Sequence, residues 1–130
     1  MTIILQIPRL PESGNKIQNM HYHERSDYNN SWYEEVALAW RIYQIDLEND
    51  LSDRLPLKKA KVTFTLYFPD RRRRDKDNMI RGLKSCKDGL IHAGIIQDDD
   101  WSSIEDTYKR GYDKKNPRTE IKIEEVRQSE

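Results

Sequence analysis

The chain has 130 residues, with 23 Lys or Arg balanced by 23 Asp or Glu, and apolar and charged residues each make up 35%. That length suits a single domain, residues 1–130, and excludes two; the zero net charge by itself says nothing about partners. Cys86 is the only cysteine, which excludes an internal disulfide and fits a reducing compartment.

No stretch has the length and apolarity of a membrane span, and Met1–Arg9 lacks a basic region followed by an apolar run. A cytoplasmic protein is therefore expected. A small polar chain buries a modest core, so association into a dimer is expected as well. Charge is unevenly distributed. From Arg54 to Lys87 there are twelve Lys or Arg against three Asp, while the acids collect in Asp98–Asp106 and the C-terminal tail. A basic face beside an acidic cluster follows.

Ile3, Leu5 and Ile7 alternate with other residues and predict a short strand, closed by Pro8 and Pro11. Residues 11–30 are polar, with Gly14, several Asn, and His21 and His23, and read as an ordered loop. Ser31 and Glu34 fit a capping box, and Tyr33, Val36, Trp40, Tyr43 and Leu47 recur at helical spacing, predicting a helix from Ser31 to near Leu51. Val62, Phe64, Leu66 and Phe68 alternate with Thr63, Thr65 and Tyr67, the clearest strand pattern in the chain. A second helix is expected to start at Asp77 or Asn78, both good caps, with Met79, Leu83, Cys86 and Leu90 as its apolar stripe and Ala93-Gly94 at its end. Two more strands are expected around Ile104–Lys109 and Glu120–Val126, joined by a turn through Gly111–Pro117. The fold class is α/β, a small mixed sheet with two helices in the order β-α-β-α-β-β.

The chemistry concentrates in Arg71-Arg72-Arg73-Arg74-Asp75-Lys76-Asp77-Asn78, followed later by Asp98-Asp99-Asp100. Phosphodiester hydrolysis near neutral pH needs an activated water and a counter-charge for the developing anion, and Mg²⁺ supplies both when two or three carboxylates hold it. Asp75 and Asp77 are two apart, so in an extended segment their side chains point the same way. At about 4 Å two carboxylates repel by about 4 kcal/mol at an effective dielectric near 20, which a divalent ion reverses. Taken alone, Asp75 and Asp77 read as a solvated turn plus a helix cap, since an isolated D-x-D is a weak signal. A calcium loop is excluded, because its sixth and twelfth positions fall on Ile80 and Cys86, or on Ser103 and Lys109.

Four consecutive arginines beside these acids fit a strip that grips a DNA backbone, since Arg binds phosphate bidentately; a solvated basic loop is the plainer alternative. Asp77, Arg81, Lys84 and Asp88 share one helix face, and on spacing alone this is an ordinary solvent face with ion pairs. His21 and His23 lack further ligands at metal spacing and read as surface or DNA-contacting residues. Trp40 reads as core, Trp32 as open between core and base stacking, Trp101 as packed beneath the acidic run, and Cys86 as packing rather than a nucleophile.

Pro69–Asn78, together with Asp88-Gly89-Leu90-Ile91-His92-Ala93-Gly94 leading to Asp98-Asp99, resembles the signature of RusA-type crossover-junction endodeoxyribonucleases, most closely over Lys61–Trp101. The resemblance implies an α/β homodimer in a bacterial or phage-infected cell that cuts four-way (Holliday) junctions and other branched DNA with Mg²⁺, Mn²⁺ substituting. It implies Asp75, Asp77 and Asp99 as metal ligands and catalytic acids. A helical Lys is also implied; Lys84 is favoured, with Arg81 the alternative, because the interval from Asp77 to Asp88 is about three residues longer than in the family's short form. DNA contacts are expected from Arg71, Arg72, Arg73, Arg74, Lys76 and Arg81. The Pro11-Glu12-Ser13-Gly14-Asn15 segment departs from the family's Pro-Pro-Ser-Asn. Two other readings stay open: a catalytically silent module of the same fold that holds branched DNA, and a structural domain whose acids and arginines pair internally.

Overall fold

The structure is a computed structural model that describes residues 1–47 and 51–126. Its elements are β1 (Thr2–Ile7), α1 (Gly14–Gln18), α2 (Tyr22–Ile45), a 3-10 turn (Ser52–Arg54), β2 (Ala60–Phe68), α3 (Lys76–Gly82), α4 (Lys84–His92), β3 (Ile104–Tyr112) and β4 (Arg118–Glu125). The four strands form one mixed sheet in the order β1-β4-β2-β3, with β3 parallel to β2 and the other pairs antiparallel. The α/β class and the small mixed sheet are as the sequence predicts.

Alternation places one sheet face inside. Ile3, Leu5 and Ile7 of β1, Val62, Phe64, Leu66 and Phe68 of β2, and Ile121 and Ile123 of β4 are buried there. Trp32, Val36, Ala39 and Trp40 of α2 and Cys86 and Leu90 of α4 belong to the same core. Leu83 is buried and Met79 half-buried, so the predicted second-helix stripe is the one that packs inward. Trp40 is core, as expected, and Trp32 is core too: it is fully buried, which removes base stacking from its options.

Three expectations are corrected. Residues 11–30 are mostly helical, because Met20 and Tyr28 are buried and Tyr28 lies one turn before Trp32, extending the apolar stripe backwards. The first long helix therefore starts at Tyr22, capped by the His21 ring, and ends at Ile45; residues 48–50 of the predicted span lie outside the described residues. Ser31 is no cap. Its hydroxyl donates to the Tyr28 carbonyl at 2.7 Å and accepts from Arg9 Nη1 at 2.8 Å. The predicted second helix is two helices, broken at Leu83, whose N–H bonds to Ile80 O. Gly82 at the break packs so tightly that a Cβ there would stand 1.9 Å from the Glu12 carbonyl oxygen.

The last two strands run longer or earlier than predicted, and they flank β2 rather than pairing with each other. Parallel pairing sets Ala60 opposite Ile104 and Phe68 opposite Tyr112. The loop holding Asp98–Asp100 thus adjoins the start of β2, and the arginine loop follows its end. α3 and α4 run back between the two. Among the described residues no helix is long and apolar enough to cross a membrane. Residues 127–130, the end of the C-terminal tail, lie outside the described residues.

Candidate nuclease site and nucleic-acid interface

The loop after β2 is built around Arg74. Its guanidinium reaches Asp70 Oδ1 at 2.8 Å, the carbonyls of Asp70 at 3.1 Å and Arg72 at 2.9 Å, and sits 4.2 Å from the Phe68 ring centroid. Three of the five donors of Arg74 are thus engaged within the loop, which gives it a structural role there. The hydrogen bond from the Arg72 N–H, and after it the Arg74 pairing, holds the Asp70 carboxyl below the usual range. Arg71, Arg72 and Arg73 are exposed and make no ion pair among the described residues; Arg71 lies 4.9 Å from the Tyr112 ring. Lys76 is likewise exposed.

Asp75, not Asp77 or Asn78, caps α3: its Oδ1 accepts from the Asn78 N–H at 3.0 Å. Asp77 is exposed in the first turn. Asn78 instead ties α3 to α1, its Oδ1 accepting from the Asn15 N–H at 3.1 Å and from Arg81. Arg81 also donates to Asn15 Oδ1 at 3.1 Å. Arg81 therefore faces α1.

Lys84 faces elsewhere. Its Nζ lies 2.6 Å from Asp99 Oδ2 and 3.0 Å from Asp88 Oδ1. The hydrogen bond to Asp99 raises the Lys84 pKa, and the same contact lowers that of Asp99. Asp98 and Asp100 serve their own loop: Asp98 Oδ1 accepts from the Asp99 N–H, and Asp100 Oδ1 accepts from the Ser103 N–H and the Ser102 hydroxyl. Of the three acids, Asp99 is the one that contacts α4 among the described residues. Trp101 does not pack beneath this run. It is fully exposed, with a relative exposure of 102%, because the loop turns outward before Ile104 is buried.

One cluster escaped sequence reasoning. Lys87 pairs with Asp106, which also accepts from the Tyr108 hydroxyl at 2.8 Å. Burial first, then the Asp106 carboxylate, push the Tyr108 phenol up. No spacing signals this group, because it joins a helix to a strand paired in parallel with a neighbour.

Asp99 and Lys84 are brought together, and Asp75 and Asp77 share the start of α3. The two sets do not merge. Asp77 lies in the first turn of α3, whereas Lys84 opens α4 beyond the break at Leu83. Among the described residues no three His, Cys, Asp or Glu side chains stand close enough together to hold a metal ion. Asp99 commits an oxygen to Lys84, and Asp75 commits one to its cap. The donor types suit Mg²⁺; their arrangement here does not assemble a three-carboxylate site.

No curated protein matches the chain. Residues 11–124 of the 130 match the family model described as endodeoxyribonuclease RusA. This span runs from the segment before α1 to the end of β4 and takes in both acidic sets and the arginine loop. The chain belongs to the RusA family of endodeoxyribonucleases, which resolve branched DNA junctions.

Proposed function

We propose that this protein is a structure-selective endodeoxyribonuclease that, as a homodimer, resolves Holliday junctions and other branched DNA by paired phosphodiester hydrolysis. The observation that supports it best is the loop between β2 and α3, where three arginines with no ion pair among the described residues abut Asp75 and Asp77 in a chain of this family. Arg71, Arg72 and Arg73, with Lys76, hold backbone phosphates and read little sequence. Lys84 offers an ammonium beside Asp99 to offset charge developing on phosphate. Two-fold symmetry presents two equivalent sites to the two strands that must be cut.

Mg²⁺, with Mn²⁺ in its place, is the proposed cofactor, and Asp75, Asp77 and Asp99 are its proposed ligands. When bound it would supply an activated water and a Lewis acid. The three acids do not meet in the arrangement described, and the roles given to the arginines and Lys84 stand without the ion.

The separation of the acids also favours a second reading, a module of the same fold that holds branched DNA without cutting it. A labelled synthetic four-way junction, incubated with and without Mg²⁺ beside a matched linear duplex, separates the two. Paired symmetric nicks that require the metal and spare the duplex are expected. Tight binding without cleavage would establish the second reading, and neither binding nor cleavage would end both.

A further inference from the structure

Between α3 and the edge strand β3 lies a groove of about 300 Å³. That is at the small end of the range for ligand sites and is room for one planar group. Its floor and wall are apolar: Leu66, Phe68 and Tyr108 from the sheet, Met79 and Ile80 from α3. Its rim is cationic, carrying Lys76 and Arg110, while Lys109 between Tyr108 and Arg110 belongs to the other sheet face, and no acidic side chain lines the groove. Neither of those two cations makes an ion pair among the described residues.

A core-forming groove has no use for two cations around its mouth, and a simple phosphate patch has no use for an apolar floor. The combination fits a group with a flat apolar body and an anionic connector. Beside the groove is a second concavity of about 380 Å³, lined by Arg71, Arg72, Tyr112 and Asp70, whose carboxylate is paired with Arg74, and sharing Phe68, Arg74 and Arg110 with the first. The two form one track in which an apolar chamber opens into a basic one. Arg74 stands at the junction, fixed over Phe68 by its bonds to Asp70 and Arg72, so it keeps a planar cation at the threshold without reorganising.

We propose that the groove between α3 and β3 receives an unstacked nucleobase from the branch point, while the flanking phosphates lie along Arg71, Arg72 and Arg110. This rests on the junction-nuclease reading above and deepens it. A base at a branch point has already lost a stacking neighbour, so extruding it costs less there than in continuous duplex. Stacking of a base on an apolar or aromatic surface is tolerant of sequence, so the groove selects branch structure rather than a base order.

The test uses four-way junctions carrying 2-aminopurine or 5-iodouracil at successive branch-point positions, bound to the full chain in Ca²⁺ buffer to prevent cutting. Binding is expected to raise 2-aminopurine fluorescence at one position, and ultraviolet crosslinking of 5-iodouracil there is expected to fall on Tyr108 or Phe68. Trypsin cuts after Lys109 and Arg110, so a Tyr108 adduct is resolved from one on Tyr112. Filling the groove with Ile80→Trp should abolish the fluorescence rise and weaken junction binding by roughly tenfold, as loss of one stacked base entails, with duplex affinity unchanged. The crosslink needs no variant, so it decides the matter even if Ile80→Trp folds poorly. Junction binding with no fluorescence rise, or adducts confined to Tyr112 or Trp101, would overturn the groove assignment and leave the nuclease reading standing. Dissociation of a dimer by Ile80→Trp would overturn it too, by assigning the groove to a second copy. Failure to prefer junction over duplex would end both.

Discussion

Lys84 Nζ lies 2.6 Å from Asp99 Oδ2, so a single ammonium joins the start of α4 to the loop before β3. Arg81, three residues earlier, faces α1 instead. The break at Leu83 separates two cations that an unbroken helix would have set on one face. Lys84→Ala should therefore reduce junction cleavage by about 100-fold, the scale for losing one charge-stabilising donor. Its effect on stability should be under about 1 kcal/mol, since the pair is exposed. Single-turnover cleavage and thermal melts measure the two effects. Cleavage unchanged in Lys84→Ala would remove this residue from the mechanism.

Arg81→Ala should behave in the opposite way. It loses hydrogen bonds to Asn15 and Asn78 that tie α1 to α3. A stability loss of about 1 kcal/mol is expected, with a cleavage rate at saturating junction close to the parent's. A rate loss as large as that of Lys84→Ala would reverse the two assignments.

Asp75→Asn should abolish cleavage yet leave α3 intact, because Asn caps a helix as well as Asp does. Asp77→Asn should abolish cleavage as well. Gel-shift titration should find junction affinity unchanged or tighter, as phosphate contacts lie on the arginines. Full activity in either variant contradicts the role proposed for these acids.

Arg72→Ala with Arg73→Ala should weaken binding to junction and duplex alike. Two phosphate contacts fewer should flatten the log–log salt dependence by about 1.8. Arg74→Ala should leave that slope nearly unchanged and lower the melting temperature, because Arg74 is bonded within its own loop. Equal slope changes for Arg74 and the outer pair would contradict the division of labour.

Gly82→Ala should destabilise the fold by about 2 kcal/mol, in the range for overpacking, since the added carbon meets the Glu12 backbone rather than a movable side chain. Denaturant titration measures this. Cys86 is wholly buried, and burial pushes its thiol up, so it should resist alkylation in the native protein and react once unfolded. Rapid native labelling would contradict the packing.

The sequence by itself determined the strands and the inward faces. Alternation of Ile3, Leu5 and Ile7, and of Val62 through Phe68, fixes which side chains are buried, because strand side chains alternate whatever the partner strand is. It also marked the arginine loop and the acids around it, since a charge run needs no fold to be visible. Tertiary structure alone decided what those charges do. Arg74 differs from Arg73 only in that Phe68 and Asp70 lie within its reach, and Asp99 differs from Asp98 and Asp100 only in that Lys84 comes to it across the crossover from β2 to β3. The groove beside β3 is likewise invisible in one dimension: its floor, wall and rim come from three separate elements. Local patterns fix local conformation, whereas contacts between distant segments depend on strand order and on the turn at Leu83.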